Sequence, residues 1–135
     1  ISSGLEALKA VKKFSGKTKI AGVTTLTSLN NKNLREIGHK RNVENLVIHQ
    51  AKLSKRANLD ALVCSAKEVK KIRKIFKKEI ITPGISLDNK INDQKRVMSP
   101  FNALKAGSDW LVIGRSITKG NIKKNLKKLI DHLGK

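Results

Sequence analysis

The chain has 135 residues, 39% of them hydrophobic, enough for one core and consistent with a single domain. Its 30 Lys and Arg against 10 Asp and Glu give a formal charge of +20 at pH 7, a field that attracts phosphates, nucleic acid or acidic membranes. No run approaches the ~18 apolar residues of a membrane span, and three Phe, one Trp and no Tyr leave little for base stacking.

In chain order, Ser2 and Ser3 can cap a helix in which Leu5, Leu8 and Val11 share a face. Lys19 to Val23 reads as a short buried strand with a polar tip, Thr24-Thr25-Leu26-Thr27-Ser28. Asn30 to Ile37 suits a short helix stopped by Gly38, and Asn42 can cap the next, with Val43, Leu46, Val47 and Ala51 at helical spacing. A second strand, Ala61 to Cys64, ends at Ser65, and the helix after it places Val69, Ile72 and Phe76 on one stripe. Ile80-Ile81 form a third strand, halted by Thr82-Pro83-Gly84, and residues 85 to 97 read as a polar loop. Ser99-Pro100 open a helix that Gly107 closes, Trp110 to Ile113 make the fourth strand, and a last helix carries Ile122, Leu126, Leu129, Ile130 and Leu133.

Strands that alternate with helices and are continuously apolar predict a parallel sheet covered by helices. In such folds ligands bind at the C-terminal edge of the sheet, and the polar residues that follow strands here are Thr27, Ser65, Gly84 and Gly114-Arg115. About four strands are too few to close an eight-stranded barrel and would leave two sheet edges and one side of the core exposed, so the sequence reads as half of something larger. The first position is not Met, which adds to the expectation of a fragment, and Ile1-Ser2-Ser3-Gly4 lacks the basic and apolar regions of a signal peptide.

Asp93 to Thr118 holds the strongest chemical signal. Gly114 after a strand lets backbone N–H groups approach an anion, and Arg115 adds a forked guanidinium. The alternative is a tight turn with a surface arginine. Gln94, a neutral donor and acceptor in a basic loop, can bridge a phosphate and a polar base edge, or be a solvated loop residue. Thr27 and Ser28 can bond a heterocycle, or cap the next helix. Ser65 reads as a cap and Cys64 as a buried strand residue. Cys64 is the only cysteine, so an internal disulfide is excluded and a reducing cytoplasm is expected. His39, His49 and His132 fit no metal or triad spacing, and no strand ends in a lysine flanked by paired carboxylates. The lysines, as in Lys70-Lys71, Lys123-Lys124 and Lys127-Lys128, fall on outer helix faces and read as a solvated surface, not a nucleic-acid face.

Val23-Thr24-Thr25-Leu26-Thr27-Ser28, Leu59 to Glu68, Thr82-Pro83-Gly84-Ile85, Asp93 to Pro100 and Val112 to Thr118, in this order, resemble bacterial orotidine 5′-phosphate decarboxylases. The resemblance implies an α/β fold, the C-terminal half of a (β/α)8 TIM barrel, as one partial domain over residues 1–135, with Ile1-Ser2-Ser3-Gly4 at the tip of the fourth barrel strand. It implies that Thr27 meets the pyrimidine, that Gln94 touches base and phosphate, and that Gly114 and Arg115 grip the phosphate. The implied reaction is cofactor-free decarboxylation of orotidine 5′-monophosphate to UMP and CO₂ in cytoplasmic pyrimidine synthesis.

Two departures accompany the resemblance. Ser86 stands where the family commonly has Arg, and the loop to Gln94 is one residue shorter. The family's Asp-x-Lys-x-x-Asp segment, on the third barrel strand, belongs to the half that this chain does not match, so no catalytic residue is assigned here. The expected partners are the nucleotide, a complementary N-terminal half and a second subunit of the family homodimer. Alone the chain is expected to be inactive. The alternatives are a non-catalytic basic nucleic-acid binder and half of a related phosphosugar decarboxylase.

Overall fold

Four short strands form one parallel sheet in the order β1-β2-β3-β4: β1 (Ala21–Val23), β2 (Ala61–Val63), β3 (Glu79–Thr82) and β4 (Trp110–Leu111). The computed structural model describes residues 1–87 and 98–134. Around the sheet run α1 (Leu5–Phe14), α2 (Asn31–Glu36), α3 (Val43–Arg56), α4 (Ala66–Ile72), α5 (Pro100–Ala106), α6 (Arg115–Thr118) and α7 (Ile122–His132). Among the described residues no helix is long and apolar enough to cross a membrane.

Capping follows local chemistry. The side chains of Asn42, Ser65 and Ser99 accept from the N–H groups of Asn45, Lys67 and Asn102, and Gly107 ends α5 in the left-handed region at φ 108°. The start of α1 departs from expectation. Its cap is Gly4, at φ 86° and with no side-chain bond, because Gly4 N–H closes a turn onto Ile1 O (3.2 Å) that leaves Ser2 and Ser3 upstream of the cap.

One pattern occurs twice where the chain leaves a helix to start a strand. After α3, Asn58 (φ 58°) precedes Leu59 and Asp60; after α5, Gly107 (φ 108°) precedes Ser108 and Asp109. Each Asp carboxylate accepts the N–H of a neighbouring strand segment, Ile20 on Asp60 (2.8 Å) and Ile80 on Asp109 (2.7 Å). Each also takes a cation, Lys12 on Asp60 at 2.6 Å and Arg73 on Asp109 at 2.5 Å. Arg73 also donates to Gly107 O and Lys78 O. α4 stops at Ile72, short of the expected stripe, and Phe76, 2% exposed, reaches the core from the turn-and-loop segment that follows.

The outer strands β1 and β4 are not buried on both faces. Leu62 and Ile80 face the helices and are fully buried in the main core with Val47, Val69, Ile72 and Phe76. The pairing puts Val23, Val63, Ile81 and Trp110 in one row across the other face, where Val23 is 47% and Trp110 59% exposed. The expected buried strand at 19–23 is therefore a three-residue strand whose outer positions are exposed, since no helix among the described residues covers that face. The fourth strand is likewise only two residues long.

Candidate functional site

The exit of β1 is fixed at its base and open at its tip. Thr24 Oγ1 donates to Val63 O at 2.9 Å. Thr25 N–H and Oγ1 both donate to Gln50 Oε1 on α3, at 2.9 and 3.1 Å. Leu29 N–H then closes a turn onto Leu26 O (3.1 Å), with Thr27 and Ser28 at its centre. Neither caps the following helix, because Asn30 does so in a reciprocal box with Asn33. Among the described residues the Thr27 hydroxyl has no hydrogen-bond partner, so it is available to a ligand.

The exit of β4 carries the cationic end. Val112 N–H continues the ladder to Thr82 O (2.9 Å), and the chain passes through Gly114 into α6, whose first residue is Arg115. A Cβ built on Gly114 would meet nothing within 4 Å. Among the described residues no atom therefore demands glycine here, and none of them fills the space before its backbone. Gly114 and Arg115 are both exposed. Ile117 and Thr118 N–H return to Gly114 O at 2.9 and 3.1 Å. Asn125 Nδ2 of α7 donates to Ile117 O and Lys119 O.

Thr27 and Gly114-Arg115 thus lie at the same, C-terminal edge of the sheet, beyond its two outermost strands. Three strand spacings of ~4.8 Å put those strands about 14 Å apart before twist and curvature. Between them, Ser65 caps α4 and Cys64 is 2% exposed, as expected from sequence. Gln94, expected to bridge the two ends, lies outside the described residues.

Gln50 escaped the reading of the sequence, and Ser86 was singled out only as a departure from the family. Gln50 is 6% exposed. Ser86, read as a loop residue, is fully buried, with its Oγ 2.7 Å from Ser116 Oγ. The histidines stay out of the site. His49 lines a separate cleft of about 450 Å³ with Ile1, Leu46 and Leu53. Burial, then Arg41, Lys52 and Arg56, push its pKa down. Among the described residues no group of three or more His, Cys, Asp or Glu could hold a metal ion.

The family model described as "Orotidine 5′-phosphate decarboxylase / HUMPS family" matches residues 1–129. A curated orotidine 5′-phosphate decarboxylase of Wolbachia sp. subsp. Brugia malayi is 45% identical over 127 residues, 93% of this chain and 56% of the relative. That of Coxiella burnetii (strain RSA 331) is 47% identical over 106 residues, 76% of this chain and 45% of the relative. The chain thus spans about half the length of the curated relatives it matches. The crystal structure of orotidine 5′-phosphate decarboxylase from Lactobacillus acidophilus superposes with a TM-score of 0.80 at 27% identity, over 99% of this chain and 61% of that one. The Methanocaldococcus jannaschii enzyme complexed with inhibitor BMP, at 21% identity and TM-score 0.69 over 98% of this chain and 58% of that one, shares the fold.

Proposed function

The chain belongs to the orotidine 5′-phosphate decarboxylase / HUMPS family, and from that premise we propose that it forms the phosphate- and pyrimidine-holding part of an orotidine 5′-monophosphate decarboxylase site. The observation that carries this is the β4 exit: Arg115 exposed at the head of α6, beside a Gly114 whose front is open. Arg115 supplies planar, charge-assisted donors to a phosphate, and the Gly114 opening lets backbone approach it. Thr27, at the tip of the β1 turn, is assigned to the polar edge of the pyrimidine. Gln94 is assigned the bridge between base and phosphate. The reaction served is loss of CO₂ from orotidine 5′-monophosphate to give UMP, a lyase step that calls for no cofactor, in the cytoplasm.

The lysine and carboxylates that would act on the reacting carbon are assigned to a complementary segment, not to this chain. The Asp-x-Lys-x-x-Asp spacing does recur at Asp88, Lys90 and Asp93, outside the described residues. The sequence assigns that stretch to a loop, whereas proton delivery needs groups held on rigid elements, so it receives no catalytic role. The open row Val23, Val63, Ile81 and Trp110 supports a complementary segment of the same fold, which would cover it. A family-type homodimer is proposed on the same footing.

The test is calorimetric titration of the chain with UMP, with Arg115→Ala beside it. Binding to the parent and at least a tenfold loss in the variant, a difference of about 1.4 kcal/mol, is expected. Equal affinity in the two proteins refutes the assignment. Salt-sensitive binding to many nucleic-acid sequences with indifference to UMP favours the basic-binder alternative. Competition by a base-free sugar phosphate as strong as by UMP favours the phosphosugar branch. Turnover by the chain alone that Lys90→Ala abolishes would overturn the division of labour.

A further inference from the structure

The anion-facing turn is not self-supporting. α6 has four residues, none of them buried, and a single isolated turn of helix is unstable in water. Its orientation must come from outside, and two of the groups that tie it lie among the described residues. One is Asn125 of α7, which holds its C-terminal end at Ile117 O and Lys119 O. The other is Ser86, which meets Ser116 at 2.7 Å, beside Arg115.

Ser86 is itself firmly placed. It is 0% exposed, and its N–H donates to Met98 O (3.2 Å), while Met98 N–H donates to Gly84 O (3.3 Å). This bridge between Ile85 and Met98 sits on a satellite core of Ile85, Ala66 and Ala103, with Leu111 and Ile113 packed against it. The hydroxyl at 86 therefore belongs to the exit of β3, and through Ser116 it fastens the exit of the adjacent strand. The bond between the two hydroxyls is part-buried and directional, so losing either member loosens the hold of the β3 exit on α6.

We propose that Ser86 is a positioning residue for the anion end of the site: through Ser116 it locks the first turn of α6, and with it Gly114 and Arg115, against the β3 exit. It acts on the ligand through Arg115 without touching it. The inference rests on the reading of Gly114 and Arg115 given under Proposed function.

The experiment uses the full chain in four forms: parent, Ser86→Ala, Ser116→Ala and the double variant. Each is followed by amide hydrogen exchange at Ile117 and Thr118 and by titration with UMP and with uridine. Each single variant is expected to exchange faster at both amides and to bind UMP about threefold to tenfold more weakly, with uridine affinity unchanged. The double variant should lose no more than either single one, and Ser116→Thr, which keeps the hydroxyl, should bind as the parent does. Unchanged exchange in Ser86→Ala, or losses that add in the double variant, would overturn the proposal, the second because Ser86 would then contact the ligand itself. If Ser86→Ala does not fold, the half-buried Ser116→Ala carries the same test. Failure of the parent to bind UMP sinks the phosphate reading and not the lock, which the two amides report alone.

Discussion

Replacing Gln50 by Leu tests whether the helix behind the sheet sets the geometry of the β1 turn. Gln50 and Thr25 are 6% and 9% exposed, and Gln50 Oε1 accepts two bonds from Thr25, one from its N–H and one from its hydroxyl. Leu keeps most of the volume and deletes the acceptor. The hydroxyl can rotate toward another partner, but the backbone N–H cannot, and a buried unpaired donor costs about 1–3 kcal/mol. Added burial of the Leu methyls offsets a part of this, so the net destabilisation is ~2 kcal/mol. For a chain of this size that is a fall in Tm of roughly 6–10 °C. Urea unfolding followed by circular dichroism measures it as a lower midpoint at an unchanged slope. Thr25→Val, which removes only the hydroxyl donor, should cost less than Gln50→Leu. Uridine affinity should fall in Gln50→Leu while inorganic phosphate affinity holds, since Thr27 sits two residues beyond the anchor. A midpoint equivalent to less than ~0.5 kcal/mol from the parent would refute the reasoning.

Gly22→Ala is expected to destabilise by about 1–3 kcal/mol by overpacking, because the new Cβ would lie 2.7 Å from Leu59 Cδ1 and 3.1 Å from Ile1 Cδ1, and Leu59 is fully buried; thermal denaturation reads it, and an unchanged Tm contradicts it. The Asp60 carboxyl is held below its ordinary pKa first by the Lys12 ammonium and then by the Ile20 N–H. A lowered folded-state pKa means that its contribution is complete above about pH 4–5 and is lost as the pH falls through the folded value. Urea midpoints measured from pH 7 down to pH 2 should therefore fall less steeply in Asp60→Asn than in the parent, and parallel curves would exclude the assignment.

What could be read in the sequence follows from local rules. Asn42, Ser65, Ser99-Pro100 and Gly107 announce helix ends because a cap needs only the few residues around it. The parallel order of the sheet was legible for a similar reason, since short apolar runs separated by helices leave few topologies. The short helix α6 was not legible: Arg115-Ser116-Ile117-Thr118 has no buried face and two β-branched residues, and what holds it lies elsewhere in the chain. Ser86 and Ser116 are 30 positions apart and Thr25 and Gln50 25, so neither pair leaves a spacing that a period or a motif would reveal. That Gly114 and Arg115 follow a strand was legible because an apolar run ending in Gly-Arg is a local signal. Which face of β1 and β4 the helices cover was hidden by apolar runs that look alike whether one side is covered or both.

The two ends of the sheet use their polar groups differently, and this bears on why the proposed anion site belongs at the C-terminal edge. At the N-terminal ends of the strands, Asp60, Glu79 and Asp109 are paired with Lys12, Lys19 and Arg73 at 2.6, 2.5 and 2.5 Å. The charges there neutralise one another and anchor strand starts. At the opposite edge the fastenings described are neutral: Thr24 on Val63, Thr25 on Gln50, Ser65 on the α4 N-terminus and Ser86 on Ser116. Helices that follow strands also point their N-termini, the positive ends of their dipoles, toward that edge. A chain of net charge +20 thus keeps these paired carboxylates at the end remote from the site. Hydroxyl fastenings set the geometry at the other end without adding negative charge. Ser86→Asp or Thr25→Asp would damage anion binding more than fold stability alone accounts for, whereas Asp60→Asn would leave it intact; titration with inorganic phosphate beside urea midpoints separates the two effects, and equal phosphate affinity in the Asp-bearing variants would refute the account.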